Sequence, residues 1–179
     1  MDSALRTRLP GRRDAVLVVL AAIAVNLIGA IGVPFTATES AWFAALELPS
    51  YYPPGWAFGV VWPILYALLG AAAALVYLTG RRRGVDADGD GGLGVARDAR
   101  VALGLFAVQL AVNVAWSPVF WGLERTDLGL VVLALLIPLV LATMAAFARV
   151  DRRSGLLLVP YLAWICFATA LNYGIWALN

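Results

Sequence analysis

LPSYYPPGWAFGVVWPILYALLGAAAALVYLTG, from Leu48 to Gly80, contains no charged residue. Hydrocarbon takes roughly 20 apolar residues to cross as a helix, so this run is long enough to span a bilayer with residues to spare. Four more charge-free runs flank it: Ala15 to Thr38, Val101 to Leu123, Leu128 to Ala148 and Ser154 to Asn179. None alternates apolar and polar with the period of two that barrel strands require, and a backbone in lipid can satisfy its hydrogen bonds only as a closed barrel or a helix. The expected fold is therefore an all-α integral membrane protein, one domain over residues 1–179. Its five transmembrane helices are expected at about 14–33, 54–79, 99–121, 127–149 and 154–178. Composition agrees, with 63% hydrophobic and 13% charged residues, a balance that no soluble domain of this size carries.

Arginine sets the expected orientation, because basic residues collect in cytoplasmic loops. Arg6, Arg8, Arg12 and Arg13 precede the first span; Arg81, Arg82, Arg83, Arg97 and Arg100 separate the second and third; Arg149, Arg152 and Arg153 separate the fourth and fifth. Only Arg125 falls on the other side. The amino terminus is thus expected in the cytoplasm and the carboxyl terminus outside, with the cell membrane as location. The first span is too long for a signal peptide and no small-x-small cleavage site follows, so it is expected to be retained. A net charge of +2 gives no reason to expect a nucleic-acid partner.

Several chemistries are disfavoured by what the sequence lacks. There is no histidine, which removes His-based metal sites, Ser-His triads and proximal-His haem ligation. Cys166 stands alone, so no intramolecular disulfide can form. No charge lies deep in a span, where ion-coupled carriers usually keep one. In the loop after the second span, Asp86, Asp88, Asp90 and Gly91 imitate the start of a calcium loop, but the twelfth position is Arg97 instead of a bidentate carboxylate. No metal site and no required cofactor are expected.

Polar and aromatic residues recur on single helix faces. Trp62 and Tyr66 share one face of the second helix; Gln109, Asn113 and Trp116 form a stripe on the third; Trp164, Ala168 and Asn172 form one on the fifth. Amide side chains in lipid must face protein or a cavity, so the stripes should converge. Helix packing with amide cross-links and a ligand pocket both satisfy that requirement. The segment between the first two spans carries Trp42, Phe43, Tyr51 and Tyr52 and is too apolar for a solvated loop. It can fold back as a lid, or lie in the headgroup region as an aromatic anchor. Indole and phenol rings with a few amides would suit a large, flat, mostly apolar ligand.

Three segments carry a family resemblance: WFAALELPSYYPPGWAFGVVWPILYALLG (Trp42 to Gly70), QLAVNVAWSPVFWGL (Gln109 to Leu123) and PYLAWICFATALNYGIWALN (Pro160 to Asn179). In order and over nearly the whole chain, they resemble the tryptophan-rich sensory protein or translocator protein family, the peripheral-type benzodiazepine receptors. The resemblance implies a five-helix bundle, usually a homodimer, that binds porphyrins, haem-related compounds, sterols and isoquinolines in a pocket near the first loop. By position, Trp62 and Trp164 match the tryptophans tied to porphyrin binding and light-dependent breakdown. Ala168 matches a small residue that shapes the ligand surface, and Gln109, Asn113 and Trp116 match the pocket wall.

This chain departs from the family at two places. Leu48 and Tyr51 replace the Lys and Trp of the loop motif, and no basic residue completes a sterol motif after Leu171 and Tyr173. The sterol motif is weak even when complete, so sterol recognition is not expected. The implied function is a membrane receptor or carrier for tetrapyrroles, acting in their transport, sensing or turnover. The alternatives are an enzyme that degrades porphyrin with light and oxygen, using Trp62 and Trp164, and a membrane scaffold without a small ligand. Last, Ala107, Ala111 and Ala115 form a smooth ridge opposite the pocket stripe, suited either to packing on Gly29 and Gly32 of the first span or to a dimer seam.

Overall fold

The computed structural model describes residues 11–86 and 94–179, and every regular element among them is helical. The order is α1 (Arg12–Ala30), a 3-10 turn (Val33–Phe35), α2 (Ala41–Ala45), α3 (Gly55–Asp86), α4 (Arg97–Ser117), a π turn (Pro118–Gly122), α5 (Thr126–Val150), α6 (Arg152–Leu157) and α7 (Val159–Leu178). Five stretches are long and apolar enough to cross a membrane: 12–35, 55–84, 97–122, 126–150 and 152–178. They are the five expected spans. Asp88, Asp90 and Gly91 of the calcium-like loop lie outside the described residues.

Boundaries depart from expectation where local chemistry dictates. The second span continues to Asp86, because nothing at residues 80–83 breaks a helix and two of its arginines find partners there. Arg82 pairs with Asp14 at 2.6 Å, while Arg83 pairs with Asp98 at 3.1 Å and donates to the Val150 carbonyl at 2.7 Å. The fifth span is interrupted at Leu158. Pro160, in the first turn of α7, has no N–H to continue the ladder from α6, and the chain tightens into a Leu158 N–H to Gly155 bond of 3.3 Å.

α1 lies along α3, α4 along α5, and α5 along α7, with α6 wedged against α3 and α5. Near the arginine-rich end the interior is filled by Leu69, Val76, Leu136, Val140, Phe147, Leu158 and Tyr161, all fully buried. Small residues let the backbones close. At Gly70 a Cβ would stand 2.5 Å from the Ala21 carbonyl oxygen and 2.6 Å from the Ala22 Cα, so α1 and α3 cross at backbone contact. At the other end of α3 a Cβ on Gly55 or Gly59 would meet nothing within 4 Å, so open space adjoins that end. Gly70→Val is expected to cost at least about 1–3 kcal/mol of stability, the usual penalty of overpacking, while Gly59→Ala, with space for its methyl inside the helix, is expected to gain about 0.5–1 kcal/mol. Unfolding in mixed micelles measures both.

Candidate functional site

A cavity of about 480 Å³ lies between α1, α3, α4 and α7 at the end nearer the lid, roofed by the segment that contains α2. That volume falls within the range of about 300–1,000 Å³ usual for small-molecule sites. α2 is started by Ser40, whose Oγ accepts the Phe43 N–H at 3.2 Å. The roof is pinned at two points. Tyr51 donates to the Ala170 carbonyl at 3.0 Å, and Asn179 exchanges hydrogen bonds with the backbone of Glu47 at 3.0 and 3.1 Å. The loop is therefore a lid seated on the bundle, and not a free anchor in the headgroups.

Aromatic rings follow one another around the cavity wall. From Trp121 the sequence passes to Phe43 at 4.7 Å between centroids, then Tyr52 (6.2 Å), Phe58 (5.8 Å), Trp164 (5.9 Å), Trp62 (6.3 Å) and Tyr66 (5.3 Å, stacked). Tyr66 donates to the Asn113 Oδ1 at 2.8 Å. One turn further along α4, Trp116 stacks on Phe120 at 4.8 Å, and Phe120 meets Trp121 edge-on at 5.2 Å. The ring of residues thus closes on itself, and each member lines the cavity. These centroid distances lie in the 4.5–7 Å range of favourable aromatic contact. Burial raises the Tyr52 phenol above its ordinary pKa.

Seven of the ten residues expected at the site line this cavity: Trp62, Tyr66, Asn113, Trp116, Trp164, Ala168 and Asn172. Asn172 also holds the frame, since its Oδ1 accepts from the Trp116 indole at 3.1 Å and its Nδ2 donates to the Thr126 carbonyl at 2.8 Å. The other three lie elsewhere. Gln109 is fully buried below the floor, where its oxygen accepts from Tyr161 at 3.1 Å and its Nε2 has no partner. Trp42 packs from behind on Phe120 and Trp121, at 5.6 and 6.2 Å. Tyr51 is spent on holding the lid to α7.

The contribution of α1 and the turn after it was absent from the expected set: Asn26 and Gly29 of α1 and Gly32 and Thr36 beyond it line the cavity, as do Ser117 and Phe58. The signal available was Asn26, an amide inside an apolar run. Its Nδ2 donates to the Ala22 and Pro63 carbonyls, at 3.0 and 3.3 Å. Gly29 accommodates the Tyr66 ring against its backbone, and Gly32 faces Ser117, so neither glycine receives the alanine ridge of α4. Ala107, Ala111 and Ala115 are instead exposed. Among the described residues no cluster of His, Cys, Asp or Glu could hold a metal ion.

The model of the TspO/MBR family matches residues 16–177, which takes in every wall of the cavity. The chain belongs to the TspO/MBR family. It is 41% identical to protein CrtK of Rhodobacter capsulatus over 84% of this chain and 85% of that protein, and 39% identical to the tryptophan-rich protein TspO of Chlorobaculum tepidum over 85% and 89%. The human translocator protein is 39% identical over 77% of this chain and 75% of its own. Within this TspO/MBR bundle the Tyr66–Asn113 bond joins α3 to α4 in the cavity wall. Tyr66→Phe is expected to cost about 0.5–1.5 kcal/mol, the net worth of one hydrogen bond, measured as unfolding free energy in micelles.

Proposed function

We propose that this protein is a membrane receptor or carrier that binds tetrapyrroles, porphyrin or haem-related, and other flat hydrophobic ligands in the cavity, and serves their transport, sensing or turnover. The observation that supports this most is the run of aromatic rings, bridged by Asn113, about a cavity with no charged lining residue. Flat ring faces gain dispersion and quadrupole contacts from a planar polycycle, while Asn113, Asn26 and Ser117 provide orientation. With no histidine in the sequence to serve as an axial ligand, the protein would grip the ring more than its metal. One contact favours a second reading. Trp62 and Trp164 meet edge-on at 6.3 Å on the wall, which would set two oxidisable indoles against a bound porphyrin and suit its light- and oxygen-dependent breakdown.

Titration of the purified protein with protoporphyrin, first in darkness and then under illumination, separates these readings through tryptophan fluorescence and the porphyrin absorption band. Quenching without bleaching is the outcome for a binder; bleaching in light means turnover; no quenching at all refutes both. Ala168, partly buried on the wall, offers a sharper check. Ala168→Phe would fill the space beside Trp164 and is expected to weaken protoporphyrin at least tenfold, about 1.4 kcal/mol, with the helical circular dichroism unchanged.

The arginine distribution supports a cytoplasmic amino terminus and an external carboxyl terminus in the cell membrane. The exposed Ala107, Ala111 and Ala115 supply a surface on which α4 could approach its own copy in a homodimer. Ala107→Leu with Ala111→Leu should then give monomers that retain ligand binding, read by light scattering corrected for detergent. A double variant that stays dimeric would place the seam elsewhere.

A further inference from the structure

We propose that a second cavity, beside the lid, binds the headgroup of a zwitterionic phospholipid that carries an alkylated ammonium, and that its occupation holds the lid in place. This cavity, of about 450 Å³, shares no lining residue with the first. Its walls come from three segments: Trp42 and Leu46 of the lid, Glu124 and Arg125 of the turn before α5, and Trp176 and Asn179 at the end of α7. The last two segments stand at the ends of membrane spans, which close at Gly122 and Leu178 and resume at Thr126. That is the depth at which lipid headgroups and interfacial indoles meet.

Charge decides what this cavity can take. Glu124 is exposed, and no ion pair among the described residues engages it or Glu47, which follows Leu46. Arg125 and Asp127 neutralise each other through bonds of 2.6 and 2.8 Å. The balance is therefore negative, and the walls add two indoles. An alkylated ammonium is attracted to indole faces as well as to a carboxylate, which suits it better than a bare, strongly hydrated ion. The Asp127 pairing uses Nε and Nη2 of Arg125 and leaves Nη1 without a partner among the described residues, so a phosphate can accept from it. An ammonium joined to a phosphate by a short linker thus finds both partners in adjacent residues. Glu124 also holds a left-handed backbone, with φ 55°, so a carboxylate stands where the backbone alone favours glycine.

Two links carry occupation to the lid. Trp42 packs on Phe120 and Trp121, which line the first cavity, and Asn179 already grips the Glu47 backbone. A headgroup held between Trp42, Glu124 and Trp176 would join lid, turn and α7 at a further point.

The test titrates the full chain, in nonionic micelles at low ionic strength, with dihexanoyl phosphatidylcholine and with dihexanoyl phosphatidylglycerol, and counts bound lipid by native mass spectrometry. Phosphatidylcholine is expected to bind at least tenfold more tightly and to slow amide hydrogen exchange across the lid residues 41–47. Glu124→Gln should weaken it at least tenfold, and Glu124→Lys should turn the preference toward phosphatidylglycerol, with the helical circular dichroism of both variants unchanged. Equal binding of the two lipids by the unaltered protein overturns the proposal, as does a Glu124→Gln variant that keeps full affinity. Free phosphocholine that binds as tightly as the lipid overturns the membrane source and assigns the cavity to a soluble ammonium ligand. Lipid binding that leaves exchange at 41–47 unchanged overturns the hold on the lid. No residue of the first cavity is altered, so failure here leaves the tetrapyrrole reading as it stands.

Discussion

Hydrocarbon offers no hydrogen-bond partner, so every amide side chain carried into the bilayer must find one within the protein. Four amides do so, and between them they join all the spans. Asn26 ties α1 to the Pro63 carbonyl of α3; Asn113 ties α4 to Tyr66 of α3; Gln109 ties α4 to Tyr161 of α7; Asn172 ties α7 to both Trp116 of α4 and the first turn of α5. Such bonds are individually modest, averaging about 0.6 kcal/mol in membrane bundles where they have been dissected. Their role here is geometric. Each fixes which residue of one helix stands opposite which residue of the next, a choice that apolar packing against equally apolar lipid leaves loosely determined.

The cavity is a product of the same ties. Toward the arginine-rich end, glycine and alanine bring the backbones together and aliphatic side chains fill the remaining space. Toward the lid, Trp62, Trp116, Phe120 and Trp164 hold the helices apart while the amides stop them from separating altogether. Pro63 contributes as well, because its carbonyl, inside α3, accepts the Asn26 Nδ2 at 3.3 Å. The lid then adds Phe43 and Tyr52 to complete the wall. Stiff rings define a lasting void better than flexible chains would, since few rotamers are available to collapse into it.

The five spans were legible because charge-free length and helix formation in lipid follow from one physical rule. The converging faces of α3, α4 and α7 were legible for a related reason: Trp62, Asn113, Trp116, Trp164, Ala168 and Asn172 could not all face lipid without cost. Periodicity reports the direction of a side chain but not its depth. Gln109 and Asn113 share a face, yet one turn, about 5.4 Å along the axis, separates a residue under the floor from one in the wall. Trp42 and Tyr51 expose a different limit. Both belong to the lid, but in a short loop the outward or inward sense of each side chain is set by turns and contacts that no periodic pattern encodes. The π turn at Pro118–Gly122 was equally hidden. By adding a residue to the last turn of the third span it rotates Phe120 and Trp121 away from the positions a straight helix would give them, and so lets both face the cavity.

α1 differs from the other spans in having a single buried residue, Val25, with most of its surface turned to lipid. Its one membrane-embedded amide, Asn26, can already donate to its own Ala22 carbonyl without help from another helix. A helix so composed is complete in the bilayer before the rest of the chain exists. Assembly then divides into two stages, insertion of α1 as an independent rod and its later docking on Gly70, Pro63 and Tyr66. The break between them falls in the loop that becomes the lid, which makes α1 the part of this protein that could be supplied as a separate polypeptide and still find its place.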